Sequence, residues 1–161
     1  MKSTRRTLSF CALTLIILCF LTSCAALSAG SFTLDLGGNY AFISDGRDKL
    51  IVLQDTDTTP GSIVGTGVID TYVDQLAFDL HYICARQRTL KENGEVDRQT
   101  APLYFVIATV SGEIFGPMTE SEFSDRYAAL VREEPPKWIS TKDQPALIDR
   151  WEELNPGQRY E

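Results

Sequence analysis

The chain has 161 residues, 15 Lys and Arg against 22 Asp and Glu, a formal charge of −7 and four cysteines. An acidic chain is repelled by nucleic acid and by anionic lipid headgroups, so neither is an expected partner of the protein surface. The length suits one domain with a real core.

Lys2, Arg5 and Arg6 precede an apolar and small-residue run from Leu8 to Leu21, and no acidic residue occurs before Asp35. That is the layout of a secretory signal. The run of about 14 residues falls short of the roughly 20 that a helix needs to cross the hydrocarbon core, which disfavours a permanent span. It ends in Leu21-Thr22-Ser23-Cys24, a branched apolar residue, two small residues and a cysteine. This segment resembles the lipobox of bacterial lipoproteins. The resemblance implies that Leu21, Thr22 and Ser23 are recognised by the lipoprotein signal peptidase, that Cys24 carries a diacylglycerol thioether, and that the new amino terminus is a further acylation point. Each buried methylene contributes roughly 0.8 kcal/mol, so two or three acyl chains such as palmitate hold a protein far more firmly than one. The alternative is ordinary secretion with cleavage in Ala25-Ala26-Leu27-Ser28-Ala29. The expected location is the cell envelope, on the outer face of the cytoplasmic membrane. In a host with two membranes, Ala25 resembles the signal that sorts lipoproteins to the outer membrane.

The expected organisation is a removed signal peptide at 1–23, a lipidated flexible tether at 24–31, and a single globular domain at 32–161. Removing the signal takes away three of the 15 cations and none of the 22 acids, leaving twelve cations and a charge of −10. It also takes away Cys11 and Cys19. With Cys24 as a thioether, Cys84 is the one remaining thiol, so no internal disulfide framework is expected. Cys84 is expected as a small buried hydrophobe.

Strand patterns open the domain. Phe32–Leu36, Asn39–Ser44 and Lys49–Gln54 are short runs of aromatic and branched residues, and Asp45-Gly46-Arg47-Asp48 has the chemistry of a turn, which predicts a hairpin over 40–53. Asp55 to Gly61 is a polar loop. Val68–Val73 and Phe78–Arg86 are predicted as a second antiparallel pair, and Lys91–Thr100 as a loop or hairpin tip. Leu103–Val110 is apolar on both faces, the pattern of a central, doubly covered strand. Ser111-Gly112 then turns the chain into Ile114-Phe115-Gly116-Pro117. Thr119-Glu120-Ser121-Glu122 is a capping box, and Phe123, Tyr127, Leu130 and Val131 form one face of the helix it opens. Glu133-Glu134-Pro135-Pro136 ends that helix, Trp138 and Ile139 are expected to pack back, and a second helix is predicted from Pro145 to Leu154. The expected fold class is α+β: a small antiparallel sheet of about six to seven strands followed by two C-terminal helices packed on or beside it.

Chemistry is sparse. A Ser-His-Asp or Cys-His unit must use His81, the one histidine. On a strand from 78 to 86, Phe78, Leu80, Tyr82 and Cys84 share one face and Asp79 and His81 the other, so a His81–Cys84 dyad is not expected. Zinc lacks ligands. Asp45-Gly46-Arg47-Asp48 and Asp55-Thr56-Asp57 lack the spacing and closing Glu of a calcium loop. Gly37-Gly38 and Gly65-Thr66-Gly67 lack the context of phosphate loops and suit bends and bulges. No catalytic residue, metal or cofactor is expected.

The strand Tyr104-Phe105-Val106-Ile107-Ala108, the break Gly116-Pro117-Met118-Thr119 and the helix start Glu122-Phe123 form a compact strand-to-helix unit. Together with the lipobox, Asn39-Tyr40 and Tyr82-Ile83, it resembles small bacterial lipoproteins grouped as a domain of unknown function, a likeness covering most of residues 32–131. The resemblance implies a fold and carries over no catalytic residue. The expected function is a lipid-anchored, non-enzymatic binding or accessory module of the cell envelope, its partners the membrane through Cys24 and another envelope protein. An immunity or inhibitor protein against a basic toxin, suited by the −10 charge, and an envelope hydrolase using two carboxylates are the alternatives.

Overall fold

The computed structural model describes residues 31–45, 48–54, 65–70, 72–131 and 135–160, and the globular unit begins at Phe32. The lipobox residues Leu21, Thr22, Ser23 and Cys24 lie outside the described residues, as do Asp55-Thr56-Asp57 and Glu133-Glu134.

Two antiparallel sheets make up the body. The first has the order β1-β2-β3-β4, formed by Phe32–Gly37, Tyr40–Ser44, Lys49–Gln54 and Gly65–Ile69. In β1, Phe32, Leu34 and Leu36 turn inward while Thr33 and Asp35 turn out, the period-2 alternation of a half-buried strand. Tyr40 pairs with Leu53 and Ser44 with Lys49, as the predicted hairpin over 40–53 requires. The second sheet has the order β8-β7-β6-β5-β9. Its strands are β5 (Val73–Phe78), β6 (Tyr82–Gln87), β7 (Leu103–Ala108), β8 (Ile114–Met118) and β9 (Ile139–Ser140).

Leu34, Leu36, Phe42 and Ile51 from the first sheet pack with Val73, Leu76, Ile83, Phe105 and Ile107 from the second, and Leu147 joins this core from α2 (Gln144–Leu154). Fully burying each such side chain contributes roughly 1.5–3 kcal/mol. The opposite face of the second sheet presents Ala77, Cys84, Tyr104 and Val106 to Phe123 of α1 (Glu120–Val131). Tyr104 stacks on Phe123 at 5.2 Å between ring centroids, and Trp138 lies 5.5 Å from Phe123. β7 is therefore covered on both faces. The capping box forms as expected, with the Glu122 carboxylate accepting from the Thr119 backbone N–H at 2.8 Å. Asp143 caps α2 by accepting from the Ala146 N–H at 3.2 Å.

The fold is α+β, but the expectation of a single sheet of six to seven strands is corrected to one sheet of four and one of five. The division falls at Tyr72. β4 pairs with β3, and the chain then changes sheet, so Val73 opens a strand whose partner is β6. The predicted pair of Val68–Val73 with Phe78–Arg86 does not exist. Phe78–Arg86 instead contains a tight turn, in which the Asp79 carboxylate accepts from the N–H groups of His81 and Tyr82, both at 2.7 Å. Leu80 stands at its tip, 63% exposed. Ile114–Met118, expected to follow a turn and break at Gly-Pro, is a strand paired with β7. Gly116 there has a φ of 133°, and a Cβ on it would lie 2.6 Å from Phe105 Cδ1, so only glycine fits.

Candidate functional site

Two clefts open beside β5 and β6, one at each end of the strand pair. The first lies at the turn end and has a volume of about 420 Å³, with Phe78, Asp79, Tyr82, Cys84, Lys137 and Arg150 among its lining. Arg150 and Asp79 are engaged from within, while Lys137 is exposed with no carboxylate within ion-pair distance among the described residues. Arg150 donates to the Phe78 carbonyl at 3.2 Å and to Glu153 at 3.0 Å, and Asp79 is engaged with its turn. Cys84 is 2% exposed, and burial, reinforced by the negative charge of Asp79, pushes its thiol up to about 12. The thiolate is the reactive form of a cysteine, so this one is inert near neutral pH.

The second cleft, of about 400 Å³, lies at the open end where the chain changes sheet. Asp74 is its centre. A register shift between Val73 and Gln75 places Asp74 at a bulge in β5, a device that re-aims a side chain. Its carboxylate takes Arg86 in a two-point pair, Nε to Oδ1 at 2.8 Å and Nη2 to Oδ2 at 2.7 Å, and also Arg88 Nε at 3.3 Å. Arg86 and Arg88 are two residues apart at the end of β6, so strand alternation sends both to the same side. The hydrogen bond with Asp74 is the foremost reason that the Arg86 guanidinium is held even more firmly protonated than usual.

Three other segments complete the wall. Val96 and Arg98 come from the β6–β7 connection, Ser140 from β9 and Lys142 from the start of the turn into α2. Arg98 and Lys142 are exposed, and among the described residues neither has a carboxylate within ion-pair distance. Tyr72 closes the corner with a φ of 34°, a left-handed conformation that is strained for an aromatic residue. Behind it sits Lys49, 6% exposed, with Nζ 5.5 Å from the Tyr72 ring centroid and 3.2 Å from Thr141 Oγ1. The Thr141 hydroxyl donates in turn to the Val73 carbonyl at 2.9 Å. The Lys49 pKa is lowered, by burial first and by Lys142 second, with Asp74 opposing.

Among the described residues four cations thus line this cleft, a fifth stands behind it, and Asp74 is the one acid in its lining. They belong to a segment 24–161 that carries twelve cations and 22 acids. Outside the cluster, seven cations face 21 acids.

Of the residues singled out in the sequence, Cys84 lies in the first cleft and His81 is exposed at the neighbouring turn, so no nucleophile–base pair forms. The turn acids Asp45 and Asp48 close the β2–β3 hairpin on each other, with the Asp48 N–H donating to Asp45 Oδ1 at 3.1 Å. Among the described residues no group of His, Cys, Asp or Glu could hold a metal ion, and no helix is long and apolar enough to cross a membrane. None of the second cleft's residues was singled out from sequence. The available signal was Arg86-Gln87-Arg88, a local excess of cations at a strand end in an acidic chain.

A family model described as a protein of unknown function, DUF3997, matches residues 37–131. The chain belongs to the DUF3997 family. The matched segment of this DUF3997 protein contains Asp74, Arg86, Arg88 and Arg98, while Ser140 and Lys142 lie beyond it. No curated protein and no solved structure matches the chain.

Proposed function

We propose that this DUF3997 protein is a lipid-anchored, non-enzymatic binding module of the bacterial cell envelope, with the cation-lined cleft as its ligand site. The observation that carries the anchor is Leu21-Thr22-Ser23-Cys24 directly at the end of the apolar run. The cleft supports the binding role, because Arg98 and Lys142 hold charge that no carboxylate among the described residues offsets. A concave site with a few convergent polar groups is the usual form of a small-ligand site. A buried thiol and an exposed, separate histidine favour binding over catalysis.

Labelling tests the anchor. In cells fed radioactive palmitate the wild-type chain takes up label and sediments with membranes, whereas Cys24→Ser does neither. A Cys24→Ser chain that is still acylated and processed normally overturns the anchor.

A second reading is favoured by the charge outside the cleft, where seven cations face 21 acids. Such a surface suits an inhibitor of a basic protein, whose binding would be fast and salt-sensitive. Capture of a basic product encoded beside this gene, lost at about 0.5 M salt, supports this reading.

A further inference from the structure

We propose that the cleft around Asp74 is a receptor for a phosphoryl group carrying two negative charges, borne on a compact molecule. The proposal rests on reading the cleft as a ligand site and names the class of ligand.

Charge sets the valence. Asp74 offsets one of the two guanidinium groups paired with it, so that among the described residues Arg98, Lys142 and part of Arg88 hold positive charge that no acid meets. Lys49 stands behind them, its Nζ engaged with the Thr141 hydroxyl and the Tyr72 ring. A single carboxylate supplies one charge and two acceptor oxygens. A phosphomonoester supplies nearly two charges and three strong acceptor oxygens on one centre, and guanidinium forks match that geometry. Gln75 and Ser140, which are cross-strand partners on β5 and β9, add neutral donors to the same wall.

Surroundings set the size. The five cations are drawn into one place, and outside them acids outnumber cations three to one. An extended polyanion such as RNA or an acidic protein would have to run from the cleft across that acidic surface and be repelled. A compact phosphorylated molecule stays within the cleft, whose lining sets four cations against Asp74. The phosphoryl group could arrive as free phosphate, as a small phosphate ester or on a lipid headgroup, and the chemistry of recognition is shared.

Calorimetric titration of the full-length chain in a neutral detergent, at low ionic strength and pH 7.5, tests this. The probes are inorganic phosphate, glycerol 3-phosphate, the soluble short-chain lipid dihexanoyl phosphatidate, and succinate as a dicarboxylate. At least one phosphate probe is expected to bind saturably at one site and at least tenfold tighter than succinate, and the tightest of the three identifies the source. Arg98→Ala combined with Lys142→Ala is expected to weaken binding by roughly a hundredfold, about tenfold per cation. Its unfolding midpoint without ligand should match wild type, and Lys137→Ala in the other cleft should bind as wild type does. Succinate binding as tightly as phosphate overturns the phosphoryl class but leaves a ligand site. No saturable binding of any probe overturns both. Wild-type affinity in the double variant overturns the location.

Discussion

The two clefts flank the same pair of strands and differ little in volume, yet they spend their charges differently. At the turn end, Arg150 is tied to the Phe78 carbonyl and to Glu153, and Asp79 holds a turn together. Those groups shape the fold, and Lys137 is the single cation of that lining with no carboxylate within ion-pair distance among the described residues. At the open end, Asp74 organises Arg86 and Arg88, while Arg98 and Lys142 have no carboxylate within ion-pair distance among the described residues. A charged side chain that its own structure satisfies is scaffolding, while one left unmet is available to a ligand.

Substitution of the two organising acids sharpens this contrast. Asp74→Ala strands Arg86, whose side chain is 22% exposed, beside Arg88 without a counter-charge. It should cost about 2–3 kcal/mol in urea unfolding, below the 3–5 of a fully buried pair. A loss under about 0.5 kcal/mol would mean that Asp74 does not organise the cleft. Phosphate should restore stability in Asp74→Ala more than it raises that of wild type. Asp79→Ala removes acceptors for two turn N–H groups and should cost about 1 kcal/mol, with no change in anion binding. Equal costs at both sites would break the comparison.

Cys84 provides a smaller effect with a definite pH window. The thiol has an ordinary value of 9.0 and is pushed up to about 12 in the fold. Its contribution to stability is fully present below pH 9, where the thiol is neutral in both states. It declines as pH rises toward 12, because the unfolded chain deprotonates first. Native protein at pH 8 should therefore resist iodoacetamide and react only after unfolding. Rapid labelling of Cys84 in the folded chain would contradict the burial of this thiol.

Lys49 gives the smallest change and the most specific one. Its lowered pKa means that the folded state resists charging it, a cost present at neutral pH and relieved as pH rises toward 10.5. Lys49→Met should leave stability at pH 7 equal to wild type or up to about 1 kcal/mol higher. Anion affinity should fall at the same time. A variant that is both less stable and unaltered in binding would make Lys49 a structural residue only.

Much of the fold was legible in the sequence, where local pattern and tertiary pairing agree. Lys49–Gln54 is a short run of branched apolar residues beside turn residues, and Thr119 with Glu122 marks a helix start that local hydrogen bonds alone complete. Phe78–Arg86 misled because Leu80 carries the apolar alternation straight across a turn, where the carboxylate of Asp79 outweighs it. Ile114–Met118 was hidden by Gly-Pro, tolerated there because β8 is an edge strand. The split into two sheets depends on which strand β4 chooses, a choice made across the reversal at Tyr72 rather than within any window of sequence. The cleft was invisible for the same reason. Its cations come from separate segments between residues 49 and 142, and only the bulge at Asp74 and the corner at Tyr72 bring them together.

Nuclear magnetic resonance of the isotope-labelled full-length chain in detergent, with inorganic phosphate added stepwise, tests the central claim most directly. Both clefts are observed in one sample. Backbone amide shifts should move saturably at Tyr72–Gln75, Arg86–Arg88 and Ser140–Lys142, while Phe78–Cys84 and Lys137 stay in place. Shifts centred on the Cys84 cleft, or scattered over the surface without saturation, would contradict the assignment of the binding site to the cations around Asp74.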